Sequence, residues 1–173
     1  MQHSGRAAVD DYDLSTRSPV TLTVHVDHGQ FFVMDRDSEA DDAAYGPDAI
    51  ADGIGPWRDG VAVFCESAWT TGTTVVVSLA PQEPEVDLDA FDHVVIAGFT
   101  CPSGVLRVFA PEETGAHERR LRLQPGTYGL MVCSDQFGSR NNVGDNGTDR
   151  YMLTLWPARD ETPRRALKRG LPG

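Results

Sequence analysis

The sequence predicts an all-β protein, an antiparallel β-sandwich of about nine strands, with jelly-roll connections as one topology left open. Three observations carry this. Short runs rich in Val, Thr, Phe and Leu recur along the chain, Gly, Pro and Asp punctuate them, and no window of helical period is long enough to compete. No strand–helix alternation and no internal repeat appears.

The first run, 20–26, alternates cleanly, with Val20, Leu22, Val24 and Val26 on one face and Thr21, Thr23 and His25 on the other. A tight "DHG" connection leads to 30–35, "QFFVMD". The stretch from Arg36 to Gly60 is rich in Asp, Ala and Gly and has little periodicity. Runs 61–67 and 73–80 read as a hairpin around "AWTTG", and 93–99 and 104–110 as a second around "TCPS". Run 118–124 meets 127–135 across "QPG", where Pro125 presets φ and Gly126 is expected to supply the positive φ of a type II turn. Run 149–157 closes the set, and Pro157 ends it because proline cannot donate to a ladder. Runs 73–80, 93–99 and 104–110 are apolar on both faces and require an outer cover: the 36–60 segment, a partner, or a second copy of the chain in a homodimer.

On this reading residues 1–18 are a flexible N-terminal segment, 19–158 the sandwich, and 159–173 a basic mobile tail in which "RRALKR" allows one helical turn. The formal net charge is −11, unevenly spread. Five basic residues against two acidic ones after Ala158 give the tail +3 and leave −14 on residues 1–158. So acidic a body repels nucleic acid and anionic membrane and favours a basic protein partner. The N-terminus lacks an apolar signal region and carries Asp10, Asp11 and Asp13, so a cytoplasmic location is expected. Cys65, Cys101 and Cys133 show no C-x-x-C spacing and read as buried reduced thiols.

The candidate partner-binding residues are Asp35, Asp37, Glu39, Asp41 and Asp42 in "MDRDSEADD". Their alternation matches the start of an EF-hand loop, but Ala40 stands where that loop needs glycine and no flanking helices are expected, so no metal is assigned. The alternative site is a carbohydrate or small-ligand surface of Trp69, Asn142, Asp145, Asn146 and Asp149, an exposed aromatic beside carboxamides and carboxylates. The Asn and Gly content of 141–149 equally fits a connection whose side chains cap their own backbone. His25 and His28 straddle a turn and make no H-x-H, which removes the support for a cupin-like metalloenzyme. No G-x-S-x-G, glycine-rich phosphate loop or H-E-x-x-H occurs. Neither a catalytic residue nor a cofactor is assigned, and the chain is read as a non-enzyme.

"HGQFFVMDRD" (28–37), "DHVVIAGFTCPSGVLRV" (92–108), "LRLQPGTYGLMV" (121–132) and "DRYMLTLWP" (149–157) together resemble the competence protein J family over about residues 20–157. The shared features are strand punctuation, so no functional residue carries over. The named member of that family inhibits a DNA-entry nuclease. The resemblance thus implies a small β-sandwich that binds a nuclease or toxin partner, with the acidic loop imitating phosphate charges.

Overall fold

The computed structural model describes residues 9–67, 72–113, 118–135 and 148–170. Its strands are β1 (Val9–Asp13), β2 (Val20–Val24), β3 (Gln30–Asp35), β4 (Ile54–Trp57), β5 (Gly60–Phe64) and β6 (Thr73–Leu79), then β7 (His93–Cys101), β8 (Val105–Phe109), β9 (Glu118–Arg122), β10 (Gly126–Asp135), β11 (Arg150–Pro157) and β12 (Arg165–Lys168). Helix α1 (Pro47–Asp52) and the 3₁₀ turns Asp42–Tyr45 and Leu88–Ala90 lie in the connections. The strands form two six-stranded sheets, β1-β9-β8-β3-β5-β4 and β12-β7-β10-β11-β6-β2. Neither is purely antiparallel, because β1 runs parallel to β9 and β11 parallel to β6.

The nine expected segments correspond to β2, β3 and β5 to β11, and three strands are new. β4 contains Pro56, which sequence rules discount, but it lies at a sheet edge where the missing N–H costs no ladder bond. β1 lies within the segment expected to be flexible. Its Asp10 and Asp11 sit opposite Arg119 and Arg120 of β9, and Asp11 takes a hydrogen bond from Arg122 at 2.9 Å. Opposite charge across the pair replaces the apolar alternation that sequence rules look for. β12 lies within the expected mobile tail and adds to the edge of β7.

All three expected hairpins are corrected. β5 and β6, β7 and β8, and β9 and β10 each lie in different sheets, so these connections carry the chain between layers. Turn residues mark where a strand ends, and they do not say whether the next strand stays in the same layer. At "TCPSGV" the positive φ falls on Gly104, at 70°. Gly126 does not take the positive φ expected of it. It opens β10 opposite Cys101.

The facing sides of the two sheets share one core, with Phe31, Val33 and Leu106 from one layer meeting Leu130, Leu153 and Tyr151 from the other. The Phe31 and Tyr151 rings meet edge-on at 5.6 Å. The outer faces are also apolar in part, as 93–99 and 104–110 required. Over the first sheet, the 36–57 segment lays Ala44 and Trp57 against Phe32, Met34 and Ala62. Over the second, Val86 and Phe91 cover Val94, Ile96 and Met131. Thr162 sits against Gly98, and Trp156 lies across Gly129, where any Cβ would meet its ring at 2.2 Å.

Residues 164–170 are fastened by one carboxylate and one imidazole. Asp52 takes Arg164 Nε at 3.0 Å and Arg169 Nη2 at 2.8 Å. Burial works against the Asp52 charge, but the two guanidiniums outweigh it and hold its carboxyl below the usual range. His93 is buried; its Nδ1 accepts from Gly170 N–H at 3.0 Å, which leaves Nε2–H to donate to the Asp52 carbonyl at 2.7 Å. This arrangement needs the neutral ring, and burial pushes its pKa down from 6.5.

Two predictions follow from this architecture. Gly55 passes beneath the 36–46 loop so closely that a Cβ would lie 1.9 Å from the Ala44 carbonyl oxygen. Gly55→Ala is therefore expected to destabilise the fold by about 1–3 kcal/mol in urea denaturation, because backbone must move. For His93 the folded state binds fewer protons than the unfolded one below about pH 6.5, so stability falls as pH drops from there toward the depressed folded value. His28, whose pKa is raised by its hydrogen bond to Asp27, tilts the other way. Comparing wild type with His93→Asn by denaturation between about pH 7 and pH 5 isolates the first effect, and the variant is expected to show the shallower acid loss.

Candidate functional site

The acidic stretch is positioned by what lies beneath it. Ala44 is driven onto Phe32, Met34 and Ala62, and Ser38 is held from both sides, its Oγ by Trp57 Nε1 at 3.0 Å and its carbonyl by Arg107 Nη2 at 2.9 Å. Asp41 caps the 3₁₀ turn, accepting from Ala43 N–H at 2.8 Å.

Asp35, the first of the five candidate residues, is turned inward. It is 3% exposed and accepts from Asp37 N–H at 2.9 Å, Ser103 N–H at 2.9 Å and Ser103 Oγ at 2.7 Å. Burial opposes its charge, yet these donors prevail and hold its carboxyl below the usual range. Its role is to tie the start of the acidic loop to the turn between β7 and β8. Asp37, Glu39, Asp41 and Asp42 are exposed, and Asp48 of α1 adds a further carboxylate. Within the stretch, the Asp37 charge is partly met by Arg36 at 3.2 Å, in a solvated pair worth little. Among these carboxylates stand two exposed apolar side chains, Tyr45, edge-on to Phe64 at 5.9 Å, and Ile50, half exposed.

Of the alternative ligand set, Trp69, Asn142, Asp145 and Asn146 lie outside the described residues. Asp149 is described and buried. Its Oδ2 accepts from Tyr151 OH and, at 3.5 Å, from Ser67 N–H, while its Oδ1 has no hydrogen-bond partner among the described residues.

Burial pushes the Cys101 thiol up to about 12 and the Cys133 thiol to about 11, and it raises Cys65 further. Thiols held protonated are poor nucleophiles. Among the described residues no group of three or more His, Cys, Asp or Glu side chains is placed to hold a metal ion. No described helix is long and apolar enough to cross a membrane.

Two groupings were not legible beforehand. The Asp52, Arg164 and Arg169 cluster joins residues more than a hundred positions apart, and the only prior signal was the basic run "RRALKR". The buried Arg119–Glu113 pair, two-pronged at 2.7 and 3.1 Å, gave no signal beyond ordinary charged residues near a strand.

No protein-family model matches the chain, and no curated protein matches it. Solved structures do. One is the crystal structure of ComJ, inhibitor of the DNA degrading activity of NucA, from Bacillus subtilis, with TM-score 0.58 and 16% identity over 82% of this chain and 96% of that one. Another is the protein of crocagin biosynthetic gene J, with TM-score 0.51 and 17% identity over 83% of this chain and 100% of that one. At such identities the likeness is one of fold, and at that level the resemblance to the competence protein J family read from the sequence holds.

Proposed function

We propose that this chain is a non-enzymatic inhibitor that binds a basic nuclease or toxin partner through the exposed carboxylates Asp37, Glu39, Asp41 and Asp42. The observation that carries the reading is the fold likeness to ComJ, an inhibitor of a DNA-degrading activity. The surface supports it. Carboxylates on an ordered loop present negative charge at fixed positions, and Tyr45 and Ile50 among them offer apolar contact within a charged rim. A nuclease groove that attracts phosphates attracts such a loop by the same long-range field, which raises the association rate more than it slows dissociation.

The triple variant Asp37→Asn, Glu39→Gln, Asp42→Asn spares the Asp41 cap. With the partner captured from the native host, surface plasmon resonance is expected to show the association rate falling about tenfold at low salt, with a shallower salt dependence and a nearly unchanged melting temperature. Binding that is insensitive to salt, or capture of no specific protein, would defeat the proposal.

A second reading, a carbohydrate or small-ligand site, is supported by the Oδ1 of buried Asp149, which has no partner among the described residues. A thermal-shift screen of sugars and small polar ligands tests it. The expected result is stabilisation of a few kcal/mol at ligand well above Kd. That gain should vanish in Asp149→Asn.

A further inference from the structure

We propose that the edge of β7 is a docking site for an extended, arginine-rich segment of a partner protein, and that β12 occupies this site as the chain's own stand-in. The proposal deepens the reading above, because it names a form in which a basic partner can be held.

β12 is joined to the sheet mainly by backbone pairing and by charge. Its register with Ile96, Val95 and Val94 shifts between Ala166 and Lys168, and its side chains alternate between exposed and half-buried. Ala166 alone among them reaches the core, and Leu167 remains 39% exposed. Beyond the segment, Gly170 N–H donates to His93 Nδ1 at 3.0 Å, and the other side-chain contacts hold cations. Arg164 and Arg169 share the Asp52 carboxylate, Arg165 pairs with Glu83, and Lys168 Nζ donates to the Leu88 carbonyl at 2.9 Å. On the receptor side, with β12 in place, Asp52 is 8% exposed and β7 offers its backbone edge beside the fully buried Val94, Val95 and Ile96. A carboxylate beside a strand edge recognises an extended basic peptide through main-chain bonds plus charge, as Asp52 and β7 hold β12. No large apolar anchor commits β12 to its place, so a segment of like charge can compete for it. The tethered strand acts as an internal competitor that lowers the apparent affinity of any rival by the fraction of time the site is open.

The test uses the full chain and a fluorescein-labelled synthetic peptide with the sequence of residues 163–170. Fluorescence anisotropy is expected to show saturable binding to Arg164→Gln/Arg169→Gln that is at least about tenfold tighter than to wild type. The same peptide with its arginines replaced by glutamine is expected not to bind. Equal binding to wild type and variant, no binding to either, or equal binding of the glutamine peptide overturns the proposal. If the double variant fails to fold, trypsin digestion of wild type decides. Cleavage after Arg164, Arg165 and Lys168 is expected to precede cleavage after Arg107 and Arg120 and to quicken with added NaCl. Simultaneous cleavage at all these bonds makes β12 part of the cooperative core and also overturns the proposal. Neither assay contains a nuclease, so failure here leaves the acidic-loop reading standing, and failure of that reading leaves this result intact.

Discussion

The structure depends on the burial of β7 on both of its faces. Eight of its nine residues are buried, and the exception, Thr100, is intermediate. One face meets the first sheet across the shared core. The other has to be kept from water by connecting segments, since each fully buried Val or Ile is worth about 1.5–3 kcal/mol. That requirement places the 80–92 connection, which brings Val86 and Phe91 over Val94 and Ile96, and it places Thr162 against Gly98. The same constraint acts on β3 in the first sheet, where the 36–57 segment covers Phe32 and Met34. The acidic loop is therefore a lid on a hydrophobic face, and its order comes from Ala44 and Trp57 more than from its charges.

Covering both faces with irregular chain brings polar groups indoors, and these are met by specific partners. Asp35 satisfies three donors of the 37 and 103 turns, and Asp27 accepts from Glu112 N–H at 2.8 Å and pairs with His28 at 3.0 Å. Arg119 and Glu113, each about 8% exposed, neutralise one another. Breaking one partner of such a pair costs far more than the intact pair contributes, because a buried charge is left alone. Such groups fix the geometry of the connections more than they add net stability. The Oδ1 of Asp149, without a partner among the described residues, stands apart from them.

The sequence exposed the strands far better than the connections. Val20, Leu22 and Val24 alternate with Thr21 and Thr23, and the structure buries the first three and exposes the other two. Strands of that kind are legible because a period of two is a local property. β1 and β4 were illegible for the opposite reason: Asp10, Asp11 and Pro56 are tolerated only because each strand lies at an edge, and edge position is a property of the whole sheet. The three false hairpins share that origin. A Pro-Gly or Ser-Gly turn ends a strand in the same way whether the chain returns to its layer or crosses to the other. In the candidate site, alternation at 35–42 correctly marked a carboxylate-rich loop. It could not separate Asp35, which faces inward to Ser103, from Asp37, Glu39, Asp41 and Asp42, which face water.

That separation bears on what a net charge of −11 means for this chain. Asp27, Asp35, Asp52 and Asp149 are buried and answer to hydrogen bonds or guanidiniums within the fold, so they contribute little to any field a partner feels at a distance. The carboxylates that shape the outer field are the solvated ones, and those of the 37–42 loop and Asp48 are gathered on the cover of one sheet. Meanwhile the cations of 164–169 are turned back onto the body, two of them onto Asp52. The molecule thus already binds a basic extended segment, its own. Acidic surface and basic strand are two sides of one electrostatic arrangement, in which the buried carboxylate of Asp52 holds Arg164 and Arg169 beside the edge of β7.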